Sequence, residues 1–188
     1  MAFTIDDGSS AEAIKAYLKF ARSRYVKLNF FITSAYSGWR SNEKEINYLL
    51  GKGLLQLANH TSSHADLSKL SGTSIQKQLM RCHNYIEDAF GVDARPFYRP
   101  PFGAYNGTVI RAAAEIGYTK LMLWNGTLAD SSNSTRPFGV RKHARADFKD
   151  EKIVLAHANR MLVPDLLPEL YELMRDRGLN LVRLNEAL

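Results

Sequence analysis

The chain has 188 residues, enough for one domain with a substantial core, and its 45% hydrophobic and 23% charged residues are ordinary for a globular protein. A single cysteine excludes an internal disulfide, and no apolar run is long enough to span a bilayer. The formal charge of +6 mildly favours anionic surfaces. Basic residues are spread along the chain except for Arg136, Arg141, Lys142, His143 and Arg145, which read as a solvated face, and no nucleic-acid motif accompanies them.

Taken in order, short apolar strands alternate with amphipathic helices. Ala2–Ile5 reads as a strand, and Ser10–Arg24 as a helix capped by Ser9 or Ser10. Leu28–Thr33 has the composition of a fully buried strand, followed by a helix over Asn42–Lys52 that Gly53 can close. Leu54–Ala58 is the third strand, and Thr73–Phe90 a helix stopped by Gly91. Cys82 falls on that helix's apolar face with Ile75, Leu79 and Ile86, as a core residue does. Pro96–Arg99 is a short fourth strand, Asn106–Ile116 a helix ended by Gly117, and Lys120–Trp124 the fifth strand. Asn125–Glu151 is polar and long for a loop, so it is either functional or holds a small helix. Lys152–His157 reads as strand six, Pro164–Arg177 as a helix with proline near its start and Gly178 past its end, and Asn180–Leu184 as strand seven.

This alternation predicts an α/β fold in one domain over residues 1–188, a mostly parallel sheet or barrel with helices outside. No basic and apolar leader precedes the first strand. That fits a cytoplasmic protein if Met1 is the native start, and a cell-envelope or extracellular one if the sequence is a domain trimmed from a longer chain.

The reactive side chains fall at the C-terminal ends of the predicted strands. Asp6 and Asp7 follow the first, His60 and His64 the third, and Arg99, Trp124 and His157 end the fourth, fifth and sixth. In a parallel barrel those ends share one rim, where active sites are built. His60 and His64, at i and i+4, point the same way on a helical turn, which suits two ligands of one metal or merely a solvated pair. A carboxylate on the same rim strengthens the metal reading, since two His and one carboxylate leave positions open for water and substrate. Asp6-Asp7-Gly8 is either a turn or a pair of carboxylates, one ligating and one free as a base with Arg99 as its cationic support. Tyr98–Gly103 (YRPPFG) fixes a stiff backbone, which either closes the barrel or aims the Phe102 N–H at a developing oxyanion. His83 and His143 lack such company.

These segments, in this order, resemble the NodB-type polysaccharide deacetylases, carbohydrate esterase family 4 (CE4). The matching runs are Thr4-Ile5-Asp6-Asp7-Gly8, His60-Thr61-Ser62-Ser63-His64, Arg99-Pro100-Pro101-Phe102-Gly103 and Leu155-Ala156-His157. The resemblance implies a distorted seven-stranded (β/α) barrel, TIM-barrel-like, and removal of N-acetyl groups from an N-acetylated glycan such as peptidoglycan or chitin. It further implies that Asp7, His60 and His64 hold a metal, commonly Zn²⁺, with Co²⁺ an alternative. Asp6 would be the general base, Arg99 its support, His157 the general acid and Asp130 its partner. Phe102 would donate the oxyanion hydrogen bond, and Pro100, Trp124 and Leu155 would line the acetyl pocket. The fourth family motif is altered: Thr127 stands where an Asp often lies, and Ser131 replaces a Trp, which should open the pocket beside His157 and change substrate choice or rate. An O-acetyl esterase on xylan and a non-catalytic glycan-binding relative share these motifs.

Overall fold

A computed structural model describes residues 1–187. Its seven strands are β1 (Ala2–Asp7), β2 (Leu28–Ile32), β3 (Leu55–Asn59), β4 (Phe97–Tyr98), β5 (Lys120–Leu121), β6 (Gly126–Thr127) and β7 (Ile153–His157). All pair in parallel, in the order β5-β4-β3-β2-β1-β7-β6. The two edge strands, β5 and β6, are consecutive in sequence, so the sheet is an incomplete barrel with its opening between them.

Helices α1 (Ala11–Arg24), α2 (Glu43–Gly51), α3 (Gly72–Phe90), α4 (Gly107–Ala114) and α5 (Pro137–Asp147) carry the crossovers, α6 (Leu167–Asp176) follows the last strand, and a final turn, α7, covers Leu184–Ala187. Their ends follow local chemistry. The Ser10 hydroxyl accepts from the Ala13 N–H at the start of α1, and Asn106 accepts from the N–H groups of Thr108 and Val109 at the start of α4. α3 ends on Gly91 at φ 65°.

Strand alternation sorts β1 into two faces. Phe3 and Ile5 point to the helices, where Phe3 meets Tyr17 and Phe148 edge-on at 6.3 and 6.2 Å. Burying each such ring contributes about 1.5–3 kcal/mol. Ala2 points inward, with Phe31, Ala58, Phe97, Met122 and Leu184 in a smaller inner cluster. Above it, Thr4, Asp6 and Arg99 are buried polar groups, so the barrel is apolar at its base and charged toward the rim. Cys82 is plain core: its Sγ–H donates to the Ile32 carbonyl, and burial pushes the thiol up to about 12.

Three expected elements differ. Residues 180–183 are not a strand; the Leu184 N–H donates to Asn29 Oδ1, the Asn29 amide donates to the Val182 carbonyl, and Leu184 plugs the barrel base. The segment's backbone meets that of the barrel at Met1, whose amine donates to the Asn180 carbonyl and whose carbonyl accepts the Val182 N–H, and the buried Asn29 side chain supplies the further bonds. The seventh strand is instead Gly126–Thr127, inside the stretch read as a polar loop, and α5 is the helix of that stretch. β5 stops at Leu121, so Trp124 lies in the β5–β6 connection rather than at a strand end.

Candidate active site

The parallel register brings Asp6 opposite Phe31 and His157, and Asn59 opposite Tyr98, so the residues that follow these strands meet at one rim. Alternation alone would send the adjacent Asp6 and Asp7 to opposite faces. Asp7 instead takes φ 77°, and both carboxylates turn toward His60: its Nε2 lies 3.4 Å from Asp7 Oδ1 and 3.6 Å from Asp6 Oδ2. Gly8 completes this turn at φ 106°, where a Cβ would fall inside the Trp39 indole, and the indole N–H donates to the Asp7 carbonyl at 2.8 Å.

His60 and His64 do not share a helical turn. Thr61 and His64 both have positive φ, at 73° and 57°, and the side-chain oxygen of Asn59 accepts the Thr61 N–H while the Thr61 hydroxyl accepts the His64 N–H. The loop, not a helix, makes the imidazoles converge, His64 Nε2 lying 3.1 Å from Asp7 Oδ1. Left-handed non-glycine residues cluster here: Asp7, Thr61, His64, Phe102 and Ala129 are five of the seven among the described residues. Such backbone strain gathers where a site over-determines it.

Asp7, His60 and His64 each offer a ligand atom, all within 4.8 Å of one another. The donor set fits a divalent metal on two observations. Asp7 Oδ1 is buried without an aligned hydrogen-bond donor. His60 Nδ1 lies 2.7 Å from the Arg99 carbonyl, which can only accept, so that nitrogen carries a proton and Nε2 is the atom turned to Asp7's side. Burial opposes ionisation of Asp7, but the two imidazoles outweigh it and hold the carboxyl well below the usual range.

Arg99 is fully buried and every part of its guanidinium is used. It donates to Asp6 Oδ1 at 2.6 Å, the Thr4 hydroxyl at 3.0 Å and the carbonyls of Met122 and Leu123, and it stacks on Phe31 at 4.0 Å. Burial lowers its affinity for the proton and Asp6 partly restores it. Asp6 is thereby fixed with Oδ1 engaged and Oδ2 turned toward His60.

Across the rim, Asp130 chelates His157: Oδ2 accepts its backbone N–H and Oδ1 meets Nδ1, both at 2.9 Å. Burial disfavours the imidazolium, but Asp130, with help from Asp6 and Asp7, raises the His157 pKa above its ordinary value. Thr127 bends the chain toward Asp130 by accepting the Ala129 N–H, and Ser131 is exposed. Leu155 is buried, two residues before His157 on the same face of β7. Pro100 is buried ahead of the turn Pro101–Gly103, and the Phe102 ring stands 69% exposed, edge-on to His64 at 4.7 Å. The Trp124 ring closes on Gly103 and on Arg99, 5.7 Å from the guanidinium.

Sequence reading passed over Thr4, Trp39, Asn159 and Arg160. Asn159 donates to Asp7 Oδ2 at 2.6 Å, and Arg160 donates to the carbonyls of Asp130 and Ser132 at 3.0 and 2.5 Å. Only the two-residue spacing from His157 to Asn159 on an extended chain could have hinted at the former.

Comparison with known proteins agrees with this geometry. The family model described as polysaccharide deacetylase matches residues 1–121, which include Asp6, Asp7, His60, His64 and Arg99 but stop short of Asp130 and His157. A bifunctional xylanase/deacetylase of Pseudobutyrivibrio xylanivorans is 28% identical over 99% of this chain and 30% of its own length. The chain spans about a third to a half of the length of curated relatives it matches. Among solved structures, the Xyl-CE4 domain of a multidomain xylanase from the hindgut metagenome of Trinervitermes trinervoides superposes with a TM-score of 0.85 at 26% identity, over 98% of this chain and 87% of that one. A CE4 family pseudoenzyme from Bacillus anthracis superposes with a TM-score of 0.84 at 19% identity, over 98% of this chain and 63% of that one. The last likeness carries the fold alone.

Proposed function

This chain belongs to the polysaccharide deacetylase family, and we propose that it is a metal-dependent hydrolase that releases acetate from N-acetylglucosamine residues of a glycan. The observation that carries the reading is the three-way convergence of His60 Nε2, His64 Nε2 and the unpartnered Asp7 Oδ1 beside a separately held second carboxylate, Asp6. Asp7, His60 and His64 would hold the metal, Zn²⁺ first among the candidates, with Co²⁺ tolerated. Such an ion polarises a carbonyl and lowers the pKa of water toward about 7.

The chain's own groups divide the proton work. Asp6 Oδ1 is occupied by Arg99, so Oδ2 takes the proton from the attacking water. Arg99 pairs with Asp6 and holds it in place. The Phe102 N–H, on its left-handed backbone, donates to the oxygen that becomes negative as the acetyl carbon turns tetrahedral. His157 holds its Nδ1–H against Asp130, which leaves Nε2 to protonate the departing sugar nitrogen. The C–N bond breaks to give acetate and an amino sugar. Leu155, Pro100 and Trp124 form the apolar surroundings of the acetyl methyl.

O-acetyl xylan is the second reading, favoured by the xylanase-linked relatives. Metal-stripped protein should release no acetate from N-acetylglucosamine oligomers, and release should return on adding Zn²⁺. Release from acetylxylan alone would transfer the activity to the ester. Stoichiometric zinc with no acetate from either polymer would leave a binding domain.

A further inference from the structure

We propose that Asn159 is a positioning residue that restricts Asp7 to one ligating oxygen and so sets the affinity of the rim for its metal; this rests on the metal reading above. Parallel pairing continues past the end of β7, since the Ala158 N–H donates to the Asp6 carbonyl and the Ser10 N–H to the Ala158 carbonyl. That ladder places Asn159 beside Asp7 and Ser9 although it is 152 residues from Asp7 in sequence. The orientation of its amide follows from its neighbours rather than from the similar shapes of oxygen and nitrogen. The Ser9 backbone N–H can only donate, and it meets Asn159 Oδ1 at 3.2 Å, joined by the Ser9 hydroxyl at 2.8 Å. Nδ2 is therefore the group that faces Asp7 Oδ2, at 2.6 Å.

The two oxygens of Asp7 are made unequal in this way. Oδ2 is engaged by an amide donor, whereas Oδ1 is buried beside the Nε2 atoms of His60 and His64 with no aligned donor of its own. A metal drawn to the two imidazoles meets one carboxylate oxygen, and the coordination positions that a second would fill stay open for water and substrate. Asn159 itself is exposed, so its truncation leaves no cavity in the core.

The test is zinc affinity, measured by competition with a chromophoric chelator, on wild-type protein, Asn159→Ala and the ligand control His60→Ala. Asn159→Ala should bind zinc about 10–100-fold more weakly, the usual cost of losing a group that orients a ligand. The unfolding midpoint of the metal-free protein should not move, which a merely structural role would not allow. The visible absorption of the Co²⁺-loaded variant should weaken as Asp7 becomes bidentate and the coordination number rises. Unchanged zinc affinity and an unchanged cobalt spectrum in Asn159→Ala, with binding abolished in His60→Ala, would overturn the inference alone. Wild-type protein that binds no zinc, or His60→Ala that binds it normally, would overturn the metal reading beneath it.

Discussion

On the β1–β4 side of the rim, Asp6, Asp7, His60 and Arg99 are buried and interlocked. Arg99 alone makes four hydrogen bonds from one guanidinium, two to side chains of β1 and two to carbonyls just past the end of β5. On the β5–β7 side, His157 depends on Asp130, and Asp130 sits in a loop held by single hydrogen bonds with Thr127 and Thr135 and by Arg160, which reaches the carbonyls of Asp130 and Ser132. β5 and β6 are two residues each, and the barrel opens between them. Under the proposed chemistry the two sides carry different work: the metal ligands and the base lie on the buried, interlocked side, and the acid and the pocket wall lie beside the barrel's opening. The altered fourth motif, with Ser131 in place of an aromatic ring, falls on the open side.

The largest effect should come from breaking the interlocked side at its centre. Arg99→Met leaves Asp6 charged and unpaired in a buried position and orphans the Thr4, Met122 and Leu123 acceptors. Denaturant titration should show a loss of about 3–5 kcal/mol, the cost of removing one partner of a buried pair. A loss below about 1 kcal/mol, the scale of an exposed pair, would show that this side is not the interlocked one.

The open side should respond in rate and pH rather than in folding. His157→Ala should reduce acetate release by about 10²–10⁴-fold, the range for a lost general acid. Burial pushes the imidazole down and Asp130 pushes it up by more, so the protonated acid persists above the ordinary value of 6.5. Asp130→Asn should therefore move the alkaline limb of kcat/KM to lower pH, and an unmoved limb would remove Asp130 from the acid's support. By the same sign, the pair stabilises the fold fully below the ordinary value, and that contribution is lost as pH rises through the raised one.

Arg160→Ala should give the smallest change. It frees the exposed carbonyl of Ser132 and the part-buried one of Asp130, about 1 kcal/mol of loop stability. Hydrogen exchange over 128–135 should quicken while β1 and β3 stay protected.

The sequence was most legible where one strand end carries one motif. β1, β2, β3 and β7 are legible to within a residue or two because each is a dense apolar run, and three of them, β1, β3 and β7, end in or directly before a reactive residue. The failures arise from bonds that local composition does not encode. Residues 180–183 have strand composition, yet Asn29 ties the segment to the barrel base. Gly126–Thr127 has none, yet it pairs with Val154 and Leu155 at the sheet edge. The i, i+4 spacing of His60 and His64 suggested a helical turn, whereas Asn59 and the Thr61 hydroxyl shape a left-handed loop that serves the same convergence. Asn159 and Arg160 carry no motif, and only the tertiary fold gives them work.

The division of labour between the adjacent aspartates tests the account most directly. Zinc content and acetate release should be measured side by side for Asp6→Asn and Asp7→Asn. Asp6→Asn should keep one zinc per chain and lose turnover, while Asp7→Asn should lose both. Wild-type turnover in Asp6→Asn, or full zinc in Asp7→Asn, would contradict the separation of base from metal ligand on which the proposed chemistry stands.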